Sequence, residues 1–378
     1  MAQEPRFINV LLLGFGNVGQ AFAKMALEKA ADLRGAAGLE IRVLGISTGS
    51  HGCTFEAGGA VDLAACLRLV EGAGEEGSWR LPAGSRPVDS TESLLQAAAD
   101  AAAQSSGSLR VDAVLEAIPA DYATGEPALS YLHRAIAALK CHVVTASKGP
   151  VLHGFRSLTA AAAAHGKRFL FESSVMDGVP VFSFVRAMPG ARVKGFDGIL
   201  NSTTNIILTE MEEKQCSFAD ALATAQKDGI AERDPSGDID GHDAAIKVAV
   251  MATVLLGAEK PDVATAGIGA VTLEDINAAT SRGTRLKLVC SCSCARGDTG
   301  DNTGGVSAKV ELVELPRTDM LSGITGASSV VRVLFEELAP ISIVSHDPLN
   351  ADTAFGLYAD LLTAVSLPVD PFARSDKK

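Results

Sequence analysis

Glu232, Asp234, Asp238, Asp240 and Asp243 crowd into twelve consecutive positions, and Lys247 follows on a segment that is otherwise apolar. Asp243 and Lys247 are four residues apart, so on a helix they share one face. On an exposed face such a pair is an ordinary ion pair worth a few tenths of a kcal/mol, roughly. The residues that follow, VAVMATVLLG, are apolar nearly all round and predict a buried helix. A buried lysine requires a partner or a task, and lysine shifts its pKa readily when desolvated, which suits it to proton transfer. Two readings fit these residues, a proton-transferring pair and a structural ion pair.

A second chemical signal stands near the start. Gly14-Phe15-Gly16-Asn17-Val18-Gly19 is GxGxxG between an apolar run, FINVLLL, and an apolar-periodic segment. The first glycine permits a tight turn, the second lets the backbone approach a pyrophosphate, and the third lets the helix pack close to the strand. The helix N-terminus then favours the anionic phosphates. In this context the loop reads as a dinucleotide site, with Gly14, Gly16, Asn17, Val18 and Gly19 around the cofactor. Selection between NAD and NADP falls after the second strand, at Ser47-Thr48-Gly49-Ser50. No acid is present there to bind a ribose 2′-hydroxyl, which leans towards acceptance of NADP, although the loop has no arginine either.

Elements of alternating type must position these groups. Residues 7–13, 41–46, 111–118 and 141–145 read as buried strands, with helical segments over 17–33, 61–70, 92–104 and 126–139 between them. That alternation predicts a Rossmann-type parallel sheet in an α/β domain. After Pro150 the pattern becomes mixed. Helices are expected at 154–165, 203–213, 217–228 and 243–256, with strands at 168–172, 193–200, 284–292 and 305–315. The last two are antiparallel and joined by the hydrophilic loop ARGDTGDNTG. This half reads as an α+β substrate domain. The expected division is residues 1–150 for the dinucleotide-binding domain, completed by 340–378, and residues 151–339 for the substrate-binding and catalytic domain.

Composition bounds the rest. The chain has 378 residues, 47% hydrophobic and 21% charged, with a formal net charge of −12, and no basic stripe invites nucleic acid or an anionic membrane. No apolar run is long enough to span a bilayer, and the N-terminal residues lack the pattern of a secretory signal. Seven scattered cysteines then point to reduced thiols and a cytoplasmic location. Cys290, Cys292 and Cys294 share a strand face, but a zinc site would need a fourth ligand that the sequence does not offer.

The stretch Gly229–Lys247, GIAERDPSGDIDGHDAAIK, resembles the signature of homoserine dehydrogenases, roughly G-Y/I-A-E-x-D-P-x-x-D-I/L-x-G-x-D-A/V-A-x-K. Three further segments agree in order. GFGNVG matches that family's cofactor loop, VVTASKGP resembles its VVTANK segment, and ILNSTTNIILTEM resembles its NGTxNyIL…M. The resemblance covers residues 7–275, with a fainter echo from Asp352 to Leu362. It implies an NAD(P)-dependent enzyme that interconverts L-homoserine and L-aspartate 4-semialdehyde, in threonine and methionine biosynthesis, acting as a homodimer paired through the second domain. No regulatory or kinase domain is expected alongside.

Residue by residue, the resemblance makes Lys247 the proton-transferring lysine and Asp243 its neighbour at the substrate. Glu232 would hold the substrate ammonium with Asp238 beside it, and Thr203 would line the same place. Lys148 would lie between nicotinamide and substrate and share in the proton step; read by itself, it is a loop lysine. Ser47, Ile118 and Gly229 join the cofactor contacts. The run ESSVMDGVP is similar to a family segment that holds sodium through backbone carbonyls, here those of Glu172, Val175, Asp177 and Val179. There are departures. Ser202 stands where the family has glycine, Ile230 where many members have tyrosine, and Ser345–Leu349 replaces a glycine-rich loop. They leave room for a related amino alcohol or aldehyde as substrate. A non-catalytic dinucleotide-binding regulator is the remaining reading, and it would not need Lys148, Asp243 and Lys247 together.

Overall fold

The computed structural model describes residues 5–73, 79–105, 108–119, 121–294 and 305–365. Two compact units emerge, one from residues up to Gly178 together with those from Asn350, the other from Val179–Leu349. The boundaries differ from the expected residues 150 and 340 for a local reason. The strand and turn after residue 165 still belong with the first sheet, and the last strand before Asn350 pairs in the second.

In the first unit, β1 (Arg6–Leu13) leads through the glycine turn into α1 (Asn17–Glu28), α2 (Ala30–Ala37), β2 (Leu39–Ser47) and β3 (Cys53–Phe55). Then come α3 (Leu63–Ala73), α4 (Thr91–Gln104), β4 (Ala113–Glu116), α5 (Ala128–Leu139), β5 (His142–Thr145), α6 (Lys148–Ala164) and β6 (Phe169–Leu170). The sheet runs β3-β2-β1-β4-β5-β6, parallel except for β3, which pairs antiparallel with β2. The unbroken apolar run of β1 is explained by cover on both faces, its residues from Val10 to Leu13 being fully buried.

Three local features differ from the sequence reading. The helix after the glycine turn ends at Glu28, and α2 follows it, closed by the left-handed Gly38 (φ 63°). Helix α6 starts at Lys148 rather than residue 154, because Pro150 sits in the first turn, where a backbone N–H has no helical partner to lose. The polar stretch after β2 yields the edge strand β3.

In the second unit, α7 (Val181–Arg186), β7 (Val193–Ile199), α8 (Ser202–Lys214), α9 (Phe218–Lys227), α10 (Ser236–Ile239) and α11 (His242–Leu255) precede β8 (Val263–Thr265) and α12 (Leu273–Ser281). The strands β9 (Thr284–Cys294), β10 (Val306–Pro316), β11 (Ser329–Phe335) and β12 (Ile341–Ser345) complete a sheet ordered β12-β11-β7-β9-β10-β8. β9 and β10 are antiparallel over their whole length; the hydrophilic loop expected between them lies outside the described residues. Helix α13 (Asn350–Val365) belongs to the first unit, where Ala354, Leu357 and Leu361 share a core with Ile8, Leu12 and Phe22.

Candidate active site

The register of the first sheet brings its carboxyl ends to one edge, since Leu13 pairs with Ser47 and with Glu116, and Glu116 pairs with Thr145. Ligands of open α/β sheets bind at such an edge. Gly14 follows β1 with φ +100°, and a Cβ there would stand 2.2 Å from the Ala117 carbonyl oxygen. A Cβ on Gly19 would stand 2.4 Å from the Gly14 oxygen, whereas Gly16 faces open space. Two glycines are thus required by packing and the third by whatever occupies that space. Helix α1 begins at Asn17 with no side-chain cap on its first N–H groups and no acid in its first turn. The N-terminus is therefore left to an anion.

A cavity of about 630 Å³ runs along this edge, with Gly14, Gly16, Asn17, Val18 and Ile118 in its wall. Trp79 and His51 close another side, their rings stacked with centroids 4.0 Å apart. Ser47 lies behind the wall: it is fully buried, and its hydroxyl accepts from Thr91 Oγ1 (3.0 Å). The wall itself is formed by Thr48, Gly49 and Ser50. These three also line a neighbouring cavity of about 670 Å³ that holds Arg80, Arg86 and Asp89. The arginines are distant in sequence from the second strand, so the β2 segment gave no sign of them. Lys148 opens α6, its Nζ 5.5 Å from the centroid of the Tyr122 ring.

In the second unit, β7 ends just before Leu200-Asn201, and Asn201 caps α8 by accepting from the Thr204 N–H (2.9 Å). Its Nδ2 donates to Asp238 Oδ1 (2.7 Å) and to Asp243 Oδ2 (3.1 Å). Lys247 Nζ reaches the same Asp243 oxygen (2.9 Å) and donates to the Leu200 carbonyl (2.8 Å). The side chains of Lys247 and Asp243 are 17% and 23% exposed, so the pair is neither sealed nor freely solvated. Thr203 is buried in the first turn of α8. The turn that carries Asp238 can approach because Gly241 is left-handed (φ +82°) and Gly267 lies against the Ile239 carbonyl. Glu232 stands exposed, with its carbonyl oxygen accepting from Gln226 Nε2 (3.0 Å), and no described hydrogen bond joins it to the cluster. Gly229, also left-handed (φ +72°), follows α9.

The remaining expected residues are placed as follows. Glu172 is buried, and its N–H donates to Asp360 Oδ2 (2.7 Å). Asp177 is left-handed (φ 54°), and its Oδ1 accepts from Thr353 Oγ1 (2.9 Å). Val175 is buried, and the Val179 carbonyl accepts from the Val181 N–H (2.8 Å). Among the described residues no group of three His, Cys, Asp or Glu side chains could hold a metal. Burial pushes the Cys290 and Cys292 thiols up to about 12. Sequence reasoning missed the role of Asn201. Its only local signal is an asparagine ahead of a helix, which predicts a cap and says nothing of two aspartates 37 and 42 residues away.

A glycine turn at the edge of a parallel sheet and a carboxylate–lysine cluster are the parts expected of a nicotinamide-dinucleotide-dependent oxidoreductase. The family model for homoserine dehydrogenase matches residues 180–362. An NAD(+)-dependent homoserine dehydrogenase of Pseudomonas canavaninivorans is 33% identical over 355 residues, 93% of this chain and 94% of that one. Homoserine dehydrogenase of Methanocaldococcus jannaschii is 32% identical over 285 residues, 75% of this chain and 80% of that one. The crystal structure of a homoserine dehydrogenase from Thiobacillus denitrificans has a TM-score of 0.74 at 28% identity, covering 96% of this chain and 74% of that one. The chain belongs to the homoserine dehydrogenase family.

Two predictions follow from this geometry. Gly16→Val should fold with near-normal thermal stability and lose dinucleotide affinity, whereas Gly14→Ala should be destabilised by about 1–3 kcal/mol or more through backbone strain. Thermal melts and a binding titration on both variants separate the two roles, and unchanged affinity in folded Gly16→Val would remove the glycine turn from the site. Asn201→Ala should cost about 1 kcal/mol from the lost cap. It should also lower kcat by roughly tenfold or more, because the two aspartates then lose the donor between them. A melt shift with unchanged kcat would reduce Asn201 to a cap.

Proposed function

We propose that this protein interconverts L-homoserine and L-aspartate 4-semialdehyde with NADP or NAD as hydride carrier. The observation that carries the reading is the Asp238–Asn201–Asp243–Lys247 network, formed by two of the family-like stretches of the chain. Bound nicotinamide supplies hydride exchange at the carbonyl carbon. The chain's own residues supply the rest. Lys247 moves the proton at the substrate oxygen, and Asp243 and the Leu200 carbonyl hold its ammonium in place. Asp238 and Glu232 receive the substrate ammonium, and Thr203 stands beside them. Lys148 assists the proton step, and Gly229 and Ile118 touch the cofactor.

The first unit is the dinucleotide-binding domain in this reading, and the second is the substrate-binding, catalytic and dimerisation domain. A sodium ion on the carbonyls of Glu172, Val175, Asp177 and Val179 belongs to the same proposal, as do a homodimer and a cytoplasmic location. Among the described residues no helix is long and apolar enough to cross a membrane.

An absorbance assay with homoserine and each oxidised cofactor tests the activity. Lys247→Ala should lower kcat by roughly 10²–10⁴, the range for a lost general acid or base, while cofactor binding is retained. The Asp243→Ala/Lys247→Ala double variant should fall short of the product of the two single defects, as expected for groups that act as a unit. Breaking a fully buried ion pair costs about 3–5 kcal/mol without any catalytic role, and part of that cost applies to this half-buried pair, so melts must accompany the rates. A folded Lys247→Ala protein with near-normal turnover would sink the assignment.

Cofactor choice gives a separate prediction. With no acid after β2 and with Arg80 and Arg86 in the cavity beyond Thr48–Ser50, kcat/KM for NADP should equal or exceed that for NAD. A strong preference for NAD, the carrier in the name of the Pseudomonas canavaninivorans relative, would show that Asp89 or another acid there reads the ribose instead.

A further inference from the structure

Glu116 ends β4 at the cofactor edge and is fully buried. Among the described residues no ion pair neutralises it. Burial pushes its carboxyl up, and three hydrogen bonds oppose that push. A carboxylate in such a place is costly unless donors satisfy it. Its donors come from two segments. Oε1 accepts from the Ile118 N–H (2.8 Å) and from Ser147 Oγ (2.9 Å), and Oε2 accepts from Thr145 Oγ1. Thr145 Oγ1 in turn accepts from the Ser147 N–H (2.9 Å), and Ser147 Oγ lies 3.2 Å from the Ile118 carbonyl. Between these groups, Ala146 donates its N–H to the Glu116 carbonyl (2.9 Å).

Both segments lead into residues of the cofactor reading. Ile118 is in the wall of the cavity, and Ser147 is the N-cap of the helix whose first residue is Lys148. Ala117, between Glu116 and Ile118, is the residue against which Gly14 packs. One carboxylate therefore holds two loops that leave the sheet separately. An apolar residue of similar size would fill the space at lower desolvation cost, yet it would hold neither Ile118 nor Ser147.

We propose that Glu116 is a positioning residue for the dinucleotide and for Lys148, acting through Ile118, Thr145 and Ser147. The proposal rests on the cofactor assignment above and not on the identity of the amino-acid substrate.

Glu116→Gln keeps the shape but removes the charge and one acceptor oxygen: Oε1 still serves the Ile118 N–H and Ser147 Oγ, while the bond that Thr145 Oγ1 donates is lost. Trp79, the one tryptophan of the chain, lies in the cavity wall and reports NADPH or NADH binding by fluorescence quenching. The Kd for the reduced cofactor should rise about tenfold, the scale of one lost hydrogen bond to a charged group. At saturating cofactor kcat should also fall about tenfold through Lys148, with KM for homoserine little changed. A merely structural Glu116 would lower the Tm and leave Kd and kcat alone, and that result overturns the proposal. Should Glu116→Gln fail to fold, Thr145→Val and Thr145→Ser decide. A raised Kd in the valine variant with recovery in the serine variant supports the proposal, and a normal Kd in both overturns it. If the wild-type protein binds NADPH but does not oxidise homoserine, the activity reading falls, and the Kd comparison still judges Glu116.

Discussion

Two aspartates converge on one amide nitrogen, Asn201 Nδ2, with a single lysine on the far side of one of them. Like charges this close repel unless donors stand between them, so the neighbourhood must be built to supply those donors. The end of β7 delivers Leu200 and Asn201 side by side, one contributing a carbonyl to Lys247 and the other an amide to the aspartates. Helix α11 brings Asp243 and Lys247 at the spacing of one turn. The Gly241 and Gly267 contacts let the Asp238 turn come close enough to share the amide. None of these parts is unusual alone. Their common purpose is visible only in the charges they bring together.

The first unit meets the same requirement by other means. A diphosphate would be met by backbone N–H groups at the start of α1, and the buried Glu116 is met by two hydroxyls and a backbone N–H. In both units the fold offers neutral dipoles to anions, with cations used sparingly. Fixed dipoles need no reorganisation when charge shifts during a reaction, which is the advantage of a preorganised site.

Much of this was legible in the sequence, and the limits were physical. Buried parallel strands are continuous apolar runs, so β1, β2, β4 and β5 stood out; β3, three residues at an edge, carried no such signal. The glycine turn and the Asp243–Lys247 spacing are local, and local periodicity finds them. Asn201 and Glu116 act across tens of residues, and nothing in their immediate neighbours announces a partner. Lys287 shows the same limit: in β9 the alternation of Leu286, Lys287 and Leu288 would turn the lysine to solvent, yet it is 1% exposed and bonded to Asn205 Oδ1 (2.7 Å). Its Nζ also donates to the Ile324 carbonyl, so the segment after β10 covers the face it points to, and burial lowers its pKa to about 7. A strand pattern records which faces differ, not whether both are covered.

Helix α13 gives the first unit a core drawn from both ends of the chain. Phe22 meets Tyr358 with ring centroids 6.4 Å apart, across more than three hundred residues of sequence. Val179–Leu349, by contrast, is continuous. A ribosome adding about 5–20 residues per second releases that continuous unit while the first sheet still lacks its closing helix. Until α13 emerges, the apolar side of α1 lacks part of its cover, and contacts of such long range are the slowest to form. A nascent chain halted before Asn350 would carry a finished second unit and an unfinished first one.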